Sequence, residues 1–239
     1  MAKTRKSKTN SARPVGMFRR LRRRVLRGIL LAFILVLAWI LSYSVIPVPG
    51  TFYMLAESGR QGQMVDYQWT PIERMSPHLA RAVVAAEDAN FCKHWGFDLG
   101  AIRSAISEGG NRGASTITQQ TVKNAFLWHG RSWPRKALEA LLTPVVELSW
   151  SKKRILEVYL NIAEFDEGVF GAEAAARHYF GVGPEDLTAT QAARLAAILP
   201  SPKTRDAGNP GPFVRQRAAQ IVDGAATIAR DGRASCFED

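Results

Sequence analysis

The chain has 239 residues, with 32 Lys and Arg against 21 Asp and Glu and a formal net charge of +11. The excess is concentrated: Lys3, Arg5, Lys6, Lys8, Arg13, Arg19, Arg20, Arg22, Arg23, Arg24 and Arg27 stand in the first 28 residues with no acid among them, and 21 basic residues then face 21 acidic ones over the remainder. A neutral remainder excludes a phosphate-tracking face, hence a nucleic-acid partner, and 46% hydrophobic residues exclude a disordered chain.

Residues 1–27 are the basic arm. Gly28–Ile46 follows as GILLAFILVLAWILSYSVI, without a charge. A helix of that length rises roughly 28 Å, close to the thickness of a bilayer's hydrocarbon core, and Pro47 and Pro49 end it. A cleaved secretory leader has the same outline, but its apolar core is usually about 7–15 residues, so the longer run favours an uncleaved transmembrane helix. Eleven cations before the span and none close after it place the arm in the cytoplasm and residues 47–239 outside; the arm also suits contact with anionic membrane lipid.

The external part reads as helices joined by Gly- and Pro-rich loops, so the expected class is mainly α. Between Thr51 and Trp69, the residues Phe52, Tyr53, Met54, Leu55, Val65 and Trp69 are either a bilayer-touching lobe or ordinary core. Ser76-Pro77 predicts a capped helix through about Asn90. Glu108–Gly113 is a breaker, and Thr116-x-x-Gln119 is a capping box opening a helix through about Leu127. Further helices are expected over Arg135–Trp150, kinked at Pro144, and over Lys152–Ala163, Ala172–Tyr179 and Ala189–Leu199. A turn-rich loop over Pro200–Phe213 leads to a last helix, Val214–Ala229.

On the first of these helices, Glu87 falls in the middle of the apolar stripe of Leu79, Ala80, Val83 and Val84. A carboxylate centred on a buried face has a raised pKa, which suits it to accept a proton near neutral pH; the plain alternative is a carboxylate tied to a buried Arg or a helix N-terminus. On the helix from Arg135, Glu139 borders the stripe of Leu138, Leu142, Val145 and Val146 while Glu147 faces away and is expected in solvent. Arg135 and Glu139 stand at i, i+4 and form a simple ion pair in the alternative account. Gly113–Thr116 offers backbone N–H groups at a helix N-terminus, an anion site, with Lys123 two turns along and Arg135-Lys136 opening the next helix. A pyrophosphate suits these cations together, although each taken singly is an ordinary cap or surface charge. Cys92 and Cys236 lie 144 residues apart; two unpaired thiols are the simpler expectation and a disulfide the alternative. His78, His94, His129 and His178 lack zinc-type spacing, so no metal ligand set is expected.

Together these segments are specific. Glu87-Asp88-Ala89-Asn90-Phe91-Cys92-Lys93-His94-Trp95-Gly96 matches E-D-x-x-F-x-x-H-x-G, and Gly113–Gln120 matches G-x-S-T-I-T-Q-Q. Arg135–Glu139 matches R-K-x-x-E, Lys152–Asn161 matches K-x-x-I-L-x-x-Y-L-N, and Arg217 with Ile221-Val222 is similar to R-x-x-x-V-L. In order and spacing the chain resembles the peptidoglycan glycosyltransferases, the module that class A penicillin-binding proteins also carry. With no transpeptidase domain after the fifth motif, the expected match is to monofunctional biosynthetic peptidoglycan transglycosylases.

That resemblance implies a lysozyme-like, two-lobed glycosyltransferase domain behind a single transmembrane helix, in the bacterial cytoplasmic (inner) membrane with the catalytic domain on the periplasmic side. It implies polymerisation of lipid II into glycan strands with inversion and release of undecaprenyl diphosphate. Glu87 aligns with the general base for the acceptor 4-hydroxyl and Glu139 with the second Glu. Ser115, Thr116, Gln120, Lys123, Arg135 and Lys136 align with substrate-binding positions; Asp88, Phe91, His94, Gly96, Asn161 and Arg217 align with residues that shape the site. The implied partners are lipid II, the nascent glycan chain, membrane lipid and other cell-wall synthesis proteins. No tightly bound cofactor is implied, although Mg2+ or Mn2+ stimulates many members. Asp166-Glu167-Gly168 departs from the family pattern, in which many relatives place Gly first, and adds negative charge near the site. A glycan-cleaving lysozyme-like enzyme and a non-catalytic wall-assembly scaffold are the competing accounts; the Lys123, Arg135 and Lys136 cations argue against the first, because chain cleavage has no diphosphate leaving group.

Overall fold

A computed structural model describes residues 15–109, 113–130 and 132–238. Most of the expected basic arm (1–14) and the middle of the expected breaker (110–112) lie outside them. The described residues form two units, 15–42 and 43–238, each taken here by itself.

In the first unit the chain is helical from Val15, so the arm's last cations continue directly into the apolar run. This helix, α1, spans Val15–Tyr43 and is long and apolar enough to cross a membrane over Phe18–Tyr43, with a mean hydropathy of 2.5 in its most apolar stretch. It stops three residues short of the expected Ile46, in a turn ahead of Pro47.

The second unit is mainly helical, as expected. Its elements are α2 (Phe52–Gln61), β1 (Asp66–Tyr67), α3 (Pro77–Glu87), α4 (Leu99–Ser107), α5 (Ile117–Phe126), α6 (Trp133–Ser149), α7 (Lys152–Ile162), β2 (Glu164–Asp166), β3 (Val169–Phe170), α8 (Gly171–Phe180), α9 (Ala189–Ile198), α10 (Pro212–Arg230) and α11 (Ser235–Glu238). The strands, α2, α4 and α11 were not anticipated. The strands run only two or three residues, too short for alternation to register. They form one sheet in the order β1-β3-β2, with β1 parallel and β2 antiparallel to β3.

Two helix groups make up the core. The first packs α3, α9 and α10 on one another; Leu79, Ala82, Val83 and Val84 are buried there with Ala192, Ala193, Leu195 and Ala196. Burial of each large apolar side chain stabilises by about 1.5–3 kcal/mol. The small residues let α10 approach α3 so closely that a Cβ on Gly224 would sit 3.3 Å from the Ala85 Cβ. The second group packs α5 against α6 and α7, and α7 continues onto α8.

Local chemistry explains most boundaries. Thr116 and Gln119 form the expected capping box at α5, Thr188 and Gln191 form another at α9, and Ser151 caps α7 through the Arg154 N–H. Ser76 stands at the N-cap of α3 with Pro77 next, as expected, but its hydroxyl donates to the Leu187 carbonyl at 2.8 Å and makes no capping bond. α3 also ends at Glu87 rather than near Asn90, because Asp88 leaves the helical region (φ −157°, ψ 69°) with its side chain engaged elsewhere.

Two further corrections concern α6 and the cysteines. The buried face of α6 is Arg135, Glu139, Thr143 and Val146, while Leu138, Leu141 and Leu148 on the other side are exposed. The Glu147 side chain, expected in solvent, is 4% exposed and is bound by Lys152 at 2.8 Å and by the Thr118 hydroxyl at 2.5 Å. A face built from ion pairs can be buried as well as an apolar one, and hydrophobic periodicity cannot register it. Cys92 and Cys236 are disulfide-bonded (Cα–Cα 5.6 Å) rather than free, since the fold brings the tail back over the turn after Glu87.

Candidate active site

The two helix groups both contribute residues to a set of adjoining cavities. From the first comes Glu87, the last residue of α3. Its Oε2 accepts a 2.8 Å hydrogen bond from Gln120 Nε2, and Gln120 Oε1 accepts from the Tyr159 hydroxyl at 3.3 Å. Burial pushes the Glu87 carboxyl up; the Gln120 hydrogen bond and the charges of Arg217 and Lys123 pull it part of the way back, and Asp88 adds to the rise. The Glu87 carboxylate is thus largely covered by protein and held by an amide.

From the second group come the cations. Ser115, Gln119, Gln120, Lys123, His129, Gly130, Arg135, Lys136 and Glu139 line a cavity of about 410 Å³. Glu139 is 2% exposed, accepts from Arg135 at 2.9 Å and is also bound by Lys136. The simple i, i+4 pair is therefore present, and within the cleft it holds Arg135 and Lys136 in place. Burial pushes the Lys123 ammonium down, opposed first by the Glu139 charge and reinforced by Arg135 and Lys136. Three cations thus crowd around one carboxylate, leaving a positive surplus in a partly covered pocket.

A second cavity, of about 740 Å³, opens on the Glu87 side and is lined by Glu87, Asp88, Asn90, Asp98, Ser104, Ser115, Thr116, Gln120 and Arg217 among others. Ser115 and Gln120 belong to both cavities, so the proton-accepting carboxylate and the cationic pocket meet at one wall. Arg217 donates to the Ala86 carbonyl at 3.3 Å, which fixes the end of α3 from α10.

The remaining sequence-predicted residues hold this wall in shape. Asp88 is 6% exposed and accepts from His94 Nε2 at 2.8 Å and from the Ile117 N–H at 3.0 Å. The expected anion site at the start of α5 is therefore occupied by the protein's own carboxylate, which ties the loop after Glu87 to the helix carrying Gln120 and Lys123. Thr116 borders the larger cavity, but its hydroxyl donates to the Gly96 carbonyl at 2.7 Å and accepts the Gln119 N–H. Gly96 has φ +82°, and a Cβ there would lie 2.5 Å from Thr143 Cγ2, so only glycine lets the loop pass α6 at this point. Phe91 is fully buried beneath the Lys152 ammonium, 4.5 Å from its ring centroid, and Lys152 also donates to the His94 carbonyl. Asn161 lies outside both cavities: it pairs with the Thr70 backbone in both directions at 2.8 Å and fixes α7.

Several residues escaped sequence reasoning. His129 lines the cationic cavity and stacks on Tyr53 at 3.8 Å between ring centroids; burial and the nearby cations push its pKa down. A third cavity, about 410 Å³, continues past Gln120, Lys123 and His129 to Asn124, Tyr159, Glu164 and Lys203. Tyr159 stood inside a recognised motif as the signal that could have found it; Tyr53, Glu164 and Lys203 carry no local signal. In the Asp166–Gly168 turn, Asp166 hydrogen-bonds His178 at 3.1 Å and Glu167 pairs with Arg60.

Glu139 is already bound by two cations, and among the described residues no group of three or more His, Cys, Asp or Glu side chains gathers.

A family model described as Transglycosylase matches residues 55–226. A protein of Jannaschia sp. (strain CCS1) named biosynthetic peptidoglycan transglycosylase is 60% identical over 238 residues, covering 99% of each chain. Like-named proteins of Ectopseudomonas mendocina (50% over 217 residues; 86% of this chain and 88% of the relative) and Caulobacter vibrioides (48% over 223 residues; 90% and 97%) are also similar.

Proposed function

We infer the reaction from one premise: the chain belongs to the transglycosylase family and is a glycosyltransferase of peptidoglycan synthesis. The substrate is lipid II, added to a growing lipid-linked glycan. Glu87 takes the proton of the acceptor 4-hydroxyl in the larger cavity, and the freed oxygen attacks the anomeric carbon of the donor strand from the opposite face. The bond to the diphosphate breaks, undecaprenyl diphosphate leaves, and the new linkage is inverted. Lys123, Arg135 and Lys136 bind the diphosphate and offset the charge it gains as the bond breaks, with Glu139 holding the last two in position. Ser115 and Gln120 lie at the junction of donor and acceptor. A stimulatory Mg2+ or Mn2+ enters as a companion of the diphosphate.

The observation that carries this reading is the shared wall: a carboxylate raised by burial and held by Gln120 stands beside a pocket of three cations. A glycan hydrolase has use for the carboxylate and none for the cations. The apolar helix Phe18–Tyr43 acts as a single-pass anchor with the arm inside and the catalytic unit outside. Exposed Phe52, Leu55 and Met64, and Leu138, Leu141 and Leu148 on α6, serve as bilayer contacts; Met54, buried at 3%, belongs to the core instead.

The test is to incubate the detergent-solubilised chain with labelled lipid II, with and without moenomycin, a ligand of the family's donor cleft. Polymer that moenomycin suppresses is the expected result. No polymer, or polymer that moenomycin leaves unchanged, overturns the assignment.

A further inference from the structure

Behind Glu87 the chain's C-terminal end closes over the same loop. Between residues 231 and 238 it makes four contacts that bracket the carboxylate. Arg233, steadied by Asp231, donates to the Ala89 carbonyl at 3.2 Å. Cys236 is joined to Cys92. The Phe237 ring is buried 6.4 Å from that of Phe91. Glu238 accepts two hydrogen bonds from Arg81 of α3, at 2.5 and 3.0 Å. α11 itself packs on α7 and on the 91–93 turn.

These contacts matter because of where α3 stops. Glu87 is its last residue, so the helix holds the backbone on one side only. On the other side residues 88–94 are a short turn whose side chains set the site: Asp88 on His94 and on the start of α5, Phe91 under Lys152. A shift of that turn would carry Glu87 with it and disturb its hydrogen bond to Gln120. Reaction geometry is steep, and a displacement of about 1 Å can lower a rate by about a hundredfold.

We propose that this C-terminal hook is a positioning element for the transfer step: Arg233, Cys236, Phe237 and Glu238 clamp the 88–94 turn so that the Glu87 carboxylate stays on Gln120, and the hook holds only while the disulfide is closed. The inference rests on the proposed role of Glu87. None of the four residues lines the three cavities of the cleft, so their effect falls on turnover and not on binding.

The experiment uses the full chain in detergent, polymerising labelled lipid II, before and after treatment with dithiothreitol. Reduction delivers two electrons and two protons to the disulfide, leaving the Cys92 and Cys236 thiols, while the reagent closes to its cyclic disulfide. The expected result is a fall in kcat of about tenfold or more with KM for lipid II within about twofold. Cys236→Ser reproduces the loss, and dithiothreitol then has no further effect on that variant. Glu238→Gln, which keeps the disulfide, lowers kcat by a smaller factor and guards against a cysteine variant that does not fold. Unchanged kcat with only a lower melting temperature, or a change confined to KM, overturns the proposal and leaves the role of Glu87 standing. An oxidised wild-type chain that makes no glycan overturns the assignment of Glu87 and the hook with it.

Discussion

Glu87→Gln separates proton transfer from architecture. The amide has the carboxylate's shape, and its oxygen can accept the same 2.8 Å hydrogen bond from Gln120, so the cleft keeps its form. What is lost is the proton acceptor. General-base catalysis contributes about 10²–10⁴ in rate, or about 3–5 kcal/mol of barrier, and polymerisation should fall by that factor. Stability moves the other way. The folded-state pKa of Glu87 is raised, chiefly by burial, so its contribution favours the fold while the carboxyl is protonated and is lost as pH rises through the raised value. Near neutral pH the variant should therefore melt no lower than wild type, and the gap should close as pH falls to the ordinary carboxylate range. The wild-type rate should also have an acid limb above that range, because the base must be ionised. Burial first, then Gln120 and Lys123 from α5, Arg217 from α10 and neighbouring Asp88 set its position. Initial rates on labelled lipid II across pH, with thermal melts of both proteins, test these points. Polymerisation by Glu87→Gln within about threefold of wild type refutes the reasoning, since no general-base contribution is that small.

Lys136 has a 42% exposed side chain, so Lys136→Ala should fold normally and lose about tenfold or more in kcat/KM through weaker hold on the diphosphate; steady-state kinetics showing only a lowered melting temperature would reassign it to structure. Arg135→Met leaves Glu139 buried with one cation and should destabilise by about 3 kcal/mol, most of which Glu139→Leu in the same chain restores; chemical denaturation reads both. Gly96→Ala combines a left-handed backbone with a Cβ 2.5 Å from Thr143 Cγ2 and should lose about 2–4 kcal/mol. Thr143→Ser in the same chain removes the clashing methyl and should recover part of that loss on thermal melting.

The amino-acid order by itself determined the apolar helix long enough to cross a membrane, the mainly helical class, the capping box at Thr116 and Gln119, and the place of Glu87 on a covered helix face. Each rests on a signal that is local or periodic along the chain: an uncharged run, a cap at fixed spacing, a carboxylate in an apolar stripe. Motif order also gathered Lys123, Arg135 and Lys136, which occupy one cavity. What only tertiary structure decided are the partnerships between distant segments. Asp88 rather than a ligand anion holds the start of α5, Glu147 is buried with Lys152, and α6 turns its ion pairs inward and its leucines outward. Cys236 returns across 144 residues to Cys92. Periodicity reports hydrophobicity along one element. It is silent on charges that become buried because another element supplies their partners, and on a tail whose destination is set by the packing of α3, α7 and α10.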